Sequence, residues 1–313
     1  MNLRIFLIAL VIMLAVSQQS IGAQVPPIFI NSVVAIGGII PDAVAPDGRV
    51  LTTKWATIGT GFFYGHLAQA DPDIKKRRYN VYLVTAKHVT DAWKTIQAQN
   101  KAVGDLKIRV NPIPPNTATE FSIKDLADPG SNWSDNPNGK DISVISSNLE
   151  LLTQKLSYQV FFFPGDEFAA DIAKLKSIQV SAGDGVFVLG FPMGQSGVLR
   201  NYVIVRQGVI AKIDEMLDKA SDSFMIDSLV FPGNSGGPVV LKADINAIQG
   251  TTAQSRAFLI GVVKAYEPYT DVAVSAQTLR PRVIFEENSG LAEVLPIDYV
   301  EDAIRADLAR SKP

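Results

Sequence analysis

Apolar and polar residues alternate along this chain in short bursts, with Gly, Pro, Asn and Asp between them. That rhythm predicts strands joined by turns. The segments 32–36, 56–64, 80–85, 107–110, 142–146, 185–189, 202–211, 223–226, 238–241, 258–263 and 282–285 all read this way. Helical spacing is scarce. Residues 91–98 suit a short helix, and 296–308 suit a longer one, with Ile297, Val300, Ile304 and Leu308 on one face and Pro296 at its start. Three stretches read as surface loops. Residues 68–80 carry Lys75-Lys76-Arg77-Arg78, a solvated hairpin tip. Residues 111–119 are rich in Pro and Asn, and 128–140 run directly into Asp141. No repeat and no low-complexity linker divides the chain.

Composition narrows the class. With 313 residues, 47% hydrophobic and 19% charged, the chain has the makings of one large core or two smaller ones. A net charge of −2 gives nucleic acid no electrostatic footprint. Having no cysteine, the chain can form no disulfide and has no thiol chemistry. At the N-terminus, Arg4 precedes an unbroken apolar run over 5–16, too short to span a bilayer comfortably. Polar residues and then Ile21-Gly22-Ala23 follow, the form of a signal peptide over 1–23 with a mature start near Gln24. The expectation is an exported protein with no stable membrane span after cleavage. Export without cysteine suits a bacterial periplasm or medium better than a disulfide-dense secretion.

The densest chemical signal is Phe231-Pro232-Gly233-Asn234-Ser235-Gly236-Gly237-Pro238. A serine among glycines and prolines lets main-chain N–H groups converge beside its oxygen. The segment Gly233, Asn234 and Ser235 would form such an oxyanion hole, with the N–H groups of Gly233 and Ser235 as donors. A serine hydroxyl needs a base, and the base an orienting acid. Gly233, Ser235 and Gly237 satisfy Gly-x-Ser-x-Gly, but both histidines, His66 and His88, precede the serine. An order of serine, acid, histidine is therefore excluded, and an order of histidine, acid, serine remains. His88 follows an apolar strand ending in Thr85-Ala86, whereas His66 reads as a loop residue. Asp141 opens an alternating strand. Asp128 and Asp135 lie nearby, and the strand start favours Asp141.

Together these segments resemble the trypsin-like serine protease superfamily, and within it the bacterial HtrA/Deg-type proteases. The blocks are Gly59-Thr60-Gly61-Phe62, Thr85-Ala86-Lys87-His88, Asp141-Ile142-Ser143-Val144 and Gly233 to Pro238. Two weaker ones are Ala182 through Gly194 and Ser289 through Pro296. The resemblance implies an all-β fold of two antiparallel six-stranded barrels with a C-terminal helix, the first over 24–175 and the second, with the helix, over 176–313. It further implies His88, Asp141 and Ser235 as a catalytic triad in the cleft, protein or peptide substrates, and no cofactor or metal. The function expected is an exported serine endopeptidase. The alternative is a weakly active or inactive protease fold that holds peptides, a holdase-like quality-control protein.

Departures from that family pattern carry expectations too. Lys87 replaces the small residue usual before the histidine, and Phe231 stands where HtrA-like enzymes often have Asn. A PDZ domain would need roughly 80–100 further residues and is not expected. Ile36-Gly37-Gly38 resembles the freed N-terminus of an activated zymogen, yet Asn234 is neutral and no basic residue precedes Ile36. A Gly-Gly turn and activity without a cut at Ala35–Ile36 are expected instead. By the resemblance, Leu229 and Val230 would form the base of the specificity pocket and Lys264, Ala265 and Tyr266 its wall. That lining would favour small-to-medium aliphatic residues over Lys or Arg.

Overall fold

A computed structural model describes residues 25–113, 116–244 and 252–310. The signal peptide expected over 1–23 lies outside the described residues. Strands dominate, and they form two sheets in succession. The first contains β1 (Val33–Val44), β2 (Val50–Gln69), β3 (Arg78–Thr85), β4 (Lys107–Val110), β5 (Thr119–Ser122), β6 (Ser134–Asp135), β7 (Ser143–Ser146) and β8 (Phe163–Pro164). Its order is β5-β4-β1-β2-β3-β7-β6, with β8 pairing β2 in parallel, so this half is an eight-stranded sheet. The second half contains β9 (Gly185–Gly190), β10 (Ile204–Lys212), β11 (Phe224–Asp227), β12 (Pro238–Leu241), β13 (Phe258–Val274) and β14 (Pro281–Pro296). These close into the expected six-stranded barrel, in the order β10-β11-β14-β13-β12-β9. The helix Ile172–Ser177 joins the two halves, and its Leu175 is buried in the second core.

The central strands are apolar on both faces because both are buried where the halves meet. Alternate residues along a strand point to opposite sides. Val34 and Ile36, Phe63 and Leu83 belong to the interior of the first half. Their neighbours Val33, Ala35, Phe62, Tyr82 and Val84 turn the other way, into a core shared with Phe187, Leu189 and Val262 of the second half. Val186, Val188 and Ile260 fill the second barrel. The C-terminal helix Asp298–Arg310 seals the shared core with Val300, Ala303 and Ile304, and Leu308 packs beside them. It starts later than its periodicity suggested, because Pro296 completes β14.

Other expectations are corrected by long-range contacts. His66 is not a loop residue: it lies within β2, and its Nδ1 meets Glu301 Oε2 of the C-terminal helix at 2.8 Å. The Tyr64 hydroxyl donates to the other oxygen of Glu301 at 2.6 Å. Burial pushes the Glu301 carboxyl up, but the bonds from His66 and Tyr64 outweigh it and hold the group below the usual glutamate range. Gly37-Gly38 is not a turn either. Both lie inside β1, opposite Thr57 and Ala56, with a bulge between Ile36 and Gly37. Ile36 is fully buried and paired on both sides, to Gly59 and Ile108. The basic run is a short turn over Ile74–Lys76 leading into β3, where Arg77 pairs with Asp166 and Glu167.

β13 and β14 also run far beyond the barrel wall. Past Tyr266 they continue as a two-stranded arm, paired from Pro268↔Asn288 to Val274↔Pro281. Its apolar side chains Tyr269, Val272, Ile284 and Phe285 are exposed. No helix among the described residues is long and apolar enough to cross a membrane.

Candidate active site

The site is built where the two halves meet, and the first half supplies the imidazole. β3 ends at Thr85, and the helix Lys87–Gln99 starts one residue later, so His88 sits in its first turn. Asp141 lies just before β7, which pairs with β3 from Thr85↔Ser143 to Tyr82↔Ser146. That register sets the carboxylate beside the histidine. Asp141 Oδ1 accepts the His88 backbone N–H at 2.8 Å, and Oδ2 lies 2.6 Å from His88 Nδ1. Two bonds fix the carboxylate against rotation. An ionised carboxylate only accepts, so the proton of the second bond is on Nδ1, and Nε2 of the neutral ring is left as an acceptor. The rival acids are engaged elsewhere: Asp128 accepts from Ser146 Oγ, and Asp135 from Ser143 Oγ and Lys87. Lys87 also pairs with Asp91 one turn along the helix, so its charge is held on the acidic flank of the site.

The second half supplies Ser235, in the loop before β12. Thr60 of β2 is the strut that carries this loop. Its hydroxyl donates to the Gly233 carbonyl at 2.6 Å and accepts the Phe191 N–H at 3.1 Å. Its own N–H donates to the Ser235 carbonyl at 3.0 Å, and its carbonyl accepts from Thr85 Oγ1 at 2.8 Å. Gly236 has no room for a side chain, since a Cβ there would lie 2.3 Å from Thr85 Oγ1. The Gly59-Thr60 block, which the sequence marked only as a strand and as part of the resemblance, therefore props the serine loop. Local sequence carries no signal for it, since the contact joins the two halves. Thr60→Val keeps the shape and deletes both hydroxyl bonds. Each buried partner left unpaired should cost about 1–3 kcal/mol. Urea unfolding should show a marked loss for Thr60→Val and a much smaller one for Thr60→Ser; equal losses would contradict the strut.

Two amides of the loop are not used in holding it together. The Pro232 carbonyl accepts the Met193 N–H at 2.6 Å. In a trans peptide the N–H opposes the carbonyl, so the Gly233 N–H points away from Met193. Gly233 has φ +97, and a Cβ there would meet the Phe191 carbonyl oxygen at 2.4 Å, so only glycine fits. Among the described residues, neither the Gly233 nor the Ser235 N–H has a hydrogen-bond acceptor. Asn234 differs: its N–H is taken by the Phe231 carbonyl at 2.9 Å, and its buried Oδ1 accepts from the Phe231 N–H at 3.1 Å. Asn234 shapes the turn and does not offer its N–H to the cleft.

His88, Asp141, Ser235, Val230, Phe231, Pro232, Lys264, Ala265 and Tyr266 line one cavity of about 410 Å³. Leu229 does not join them; it is half exposed and lies outside this lining. Lys264 is paired with Glu293 at 2.8 Å. Tyr266 packs its ring against the second core and donates its hydroxyl to Glu286 at 2.7 Å, which raises the phenol above its ordinary pKa. The Ser235 hydroxyl donates to the Lys264 carbonyl at 3.3 Å, and this is its bond among the described residues.

A histidine bonded to a carboxylate and a serine in a glycine loop meet at the junction of two β sheets, an arrangement consistent with the trypsin-like peptidase class. The model of the trypsin-like peptidase domain matches residues 59–248, more than half of the chain, and the chain belongs to that family. No curated protein matches it. A solved structure described as "Atomic resolution structure of HBP" is similar at 12% identity and a TM-score of 0.43, covering 93% of this chain and 97% of that one.

Proposed function

We propose that this protein is an exported serine endopeptidase with His88, Asp141 and Ser235 as its triad. One observation carries the reading: Asp141 holds His88 by two hydrogen bonds in the same cleft as Ser235. Ser235 Oγ leaves the Lys264 carbonyl and attacks the scissile carbonyl carbon, while His88 Nε2 takes its proton. The Gly233 and Ser235 N–H groups stabilise the resulting oxyanion. Collapse breaks the C–N bond as His88 returns the proton to the leaving amine. Water then repeats the sequence on the acyl-enzyme and frees the serine. The apolar run 5–16 supports export, and the blocks shared with HtrA/Deg-type proteases favour unfolded chains as substrates.

The lining also bears on specificity. Val230, Ala265 and the Tyr266 ring give an apolar wall, and the ion pair to Glu293 neutralises Lys264. A buried ionic side chain would find no free counter-charge in this lining. The residue preceding the cut should be Ala, Val, Ile or Leu, with a broad preference because a methylene is worth only about 1–3 kcal/mol. Cleavage-site profiling on a denatured proteome tests this. Predominant cutting after Lys, Arg, Asp or Glu would refute the specificity, and no cutting by the wild-type protein would favour the holdase-like alternative.

A further inference from the structure

We propose that Arg109 is a positioning residue for the oxyanion-stabilising amides, acting through the segment 191–203. This rests on the reading of the cleft as a peptidase active site. Arg109 is on β4, in the first half, and is only 7% exposed. Its guanidinium nevertheless bonds to the second half. Nη1 donates to Ser196 Oγ at 3.1 Å and to the Gly197 carbonyl at 2.9 Å, and Nη2 donates to the Val198 carbonyl at 3.0 Å. Nε lies 3.5 Å from Glu120 Oε1 of β5, an ion-pair contact too long for a good hydrogen bond. Charge-assisted bonds of this kind, spread over three acceptors by a planar fork, fix direction as well as distance.

The same hairpin grips the loop at further points. Asn111 donates to the Asn201 carbonyl at 2.9 Å and accepts the Asn201 N–H at 2.8 Å. The Ala118 N–H donates to the Leu199 carbonyl at 2.7 Å, and Arg200 to the Asn116 carbonyl at 3.0 Å. Phe191 at the start of the segment is buried in the shared core, but the tip has no such anchor, since Val198 and Leu199 are 91% and 65% exposed. The conformation of the tip therefore depends on polar bonds to β4 and to the connection that follows it.

At its N-terminal end the loop meets the catalytic machinery. Met193 has φ +55, a left-handed conformation that a methionine keeps only when its surroundings impose it. The Met193 N–H is the donor to the Pro232 carbonyl. That bond turns the Pro232–Gly233 peptide so that the Gly233 N–H points away from Met193. Released from Arg109, the loop no longer fixes Met193, and the peptide is free to rotate. The ground-state substrate does not need the oxyanion donors, but the tetrahedral intermediate does. Loss of Arg109 should therefore act on kcat more than on KM.

The test measures peptide hydrolysis, fluorophosphonate labelling rate and thermal unfolding for wild type, Arg109→Ala, Arg109→Lys and Asn111→Ala. The expected result for Arg109→Ala is a fall in kcat of about 10- to 100-fold, up to what one lost oxyanion donor costs, with KM within about twofold. Labelling should slow in parallel, Arg109→Lys should fall between, and millimolar ethylguanidinium should restore part of the Arg109→Ala rate without changing wild type. Wild-type kcat in folded Arg109→Ala would overturn the proposal, as would a loss confined to KM. If Arg109→Ala does not fold, Asn111→Ala decides, since unchanged kcat there overturns the proposal and a selective fall in kcat supports it. A wild-type protein that neither hydrolyses peptide nor takes the label would instead overturn the reading of the cleft itself, and this proposal with it.

Discussion

Ser235→Ala and His88→Ala should each lower kcat for an unfolded substrate such as casein by about 10⁵–10⁶-fold, because members of a nucleophile–base pair act as a unit. The alanine at 235 removes the only atom in the loop that can form an acyl bond. At 88 it removes the acceptor for that atom's proton. Neither residue is in a hydrophobic core, and His88 is half exposed, so the fold should survive both changes. The double variant should be no slower than either single variant. Circular dichroism and steady-state turnover on the purified variants check this together. Wild-type cleavage by folded Ser235→Ala would place the chemistry elsewhere.

Asp141→Asn tests the second bond of the pair. Asn is nearly isosteric, so the His88 backbone N–H keeps its acceptor at the amide oxygen. The amide nitrogen then faces His88 Nδ1, and a donor there forces the imidazole proton onto Nε2. That tautomer cannot accept the serine proton. The expected loss in kcat is about 10⁴-fold, with substrate affinity nearly unchanged. A pH–rate profile adds a check, because activity in the variant should recover partly where hydroxide competes as base. A loss smaller than tenfold would mean that Asp141 only supports the fold.

How much of this was legible in the sequence depended on the range of the contacts. Val186 to Leu189 and Val239 to Leu241 are apolar without interruption, since both faces of their strands are buried, and such runs announce themselves. The arm was legible only in part: residues 282–285 of β14 read as a strand, but their partner in β13 did not. With both faces in solvent, residues 267–274 show no alternation, and Pro268 and Asp271 read as loop. His88, Asp141 and Ser235 were found through short local blocks, each anchored by a strand end or a glycine turn. His66 was misplaced because its partner Glu301 is remote in the chain and on a helix. Asn234 was assigned to the oxyanion hole from its position, whereas its N–H closes a turn onto Phe231. Leu229 was placed by counting back from the serine, and counting does not tell that Val230 turns into the cavity while Leu229 faces solvent. Thr60 and Arg109 act across the interface between the halves, which local sequence does not encode.

The central claim is that Ser235 is an activated nucleophile, although its hydroxyl rests on the Lys264 carbonyl in this structure. Covalent labelling with a fluorophosphonate probe tests it directly, since the reagent reacts with a serine whose proton has a base and whose developing charge has an oxyanion hole. Mass spectrometry of the digested adduct should place the probe on Ser235, with labelling abolished in Ser235→Ala and strongly slowed in His88→Ala. An unlabelled wild-type protein, or a label on another residue that persists in Ser235→Ala, would contradict the account.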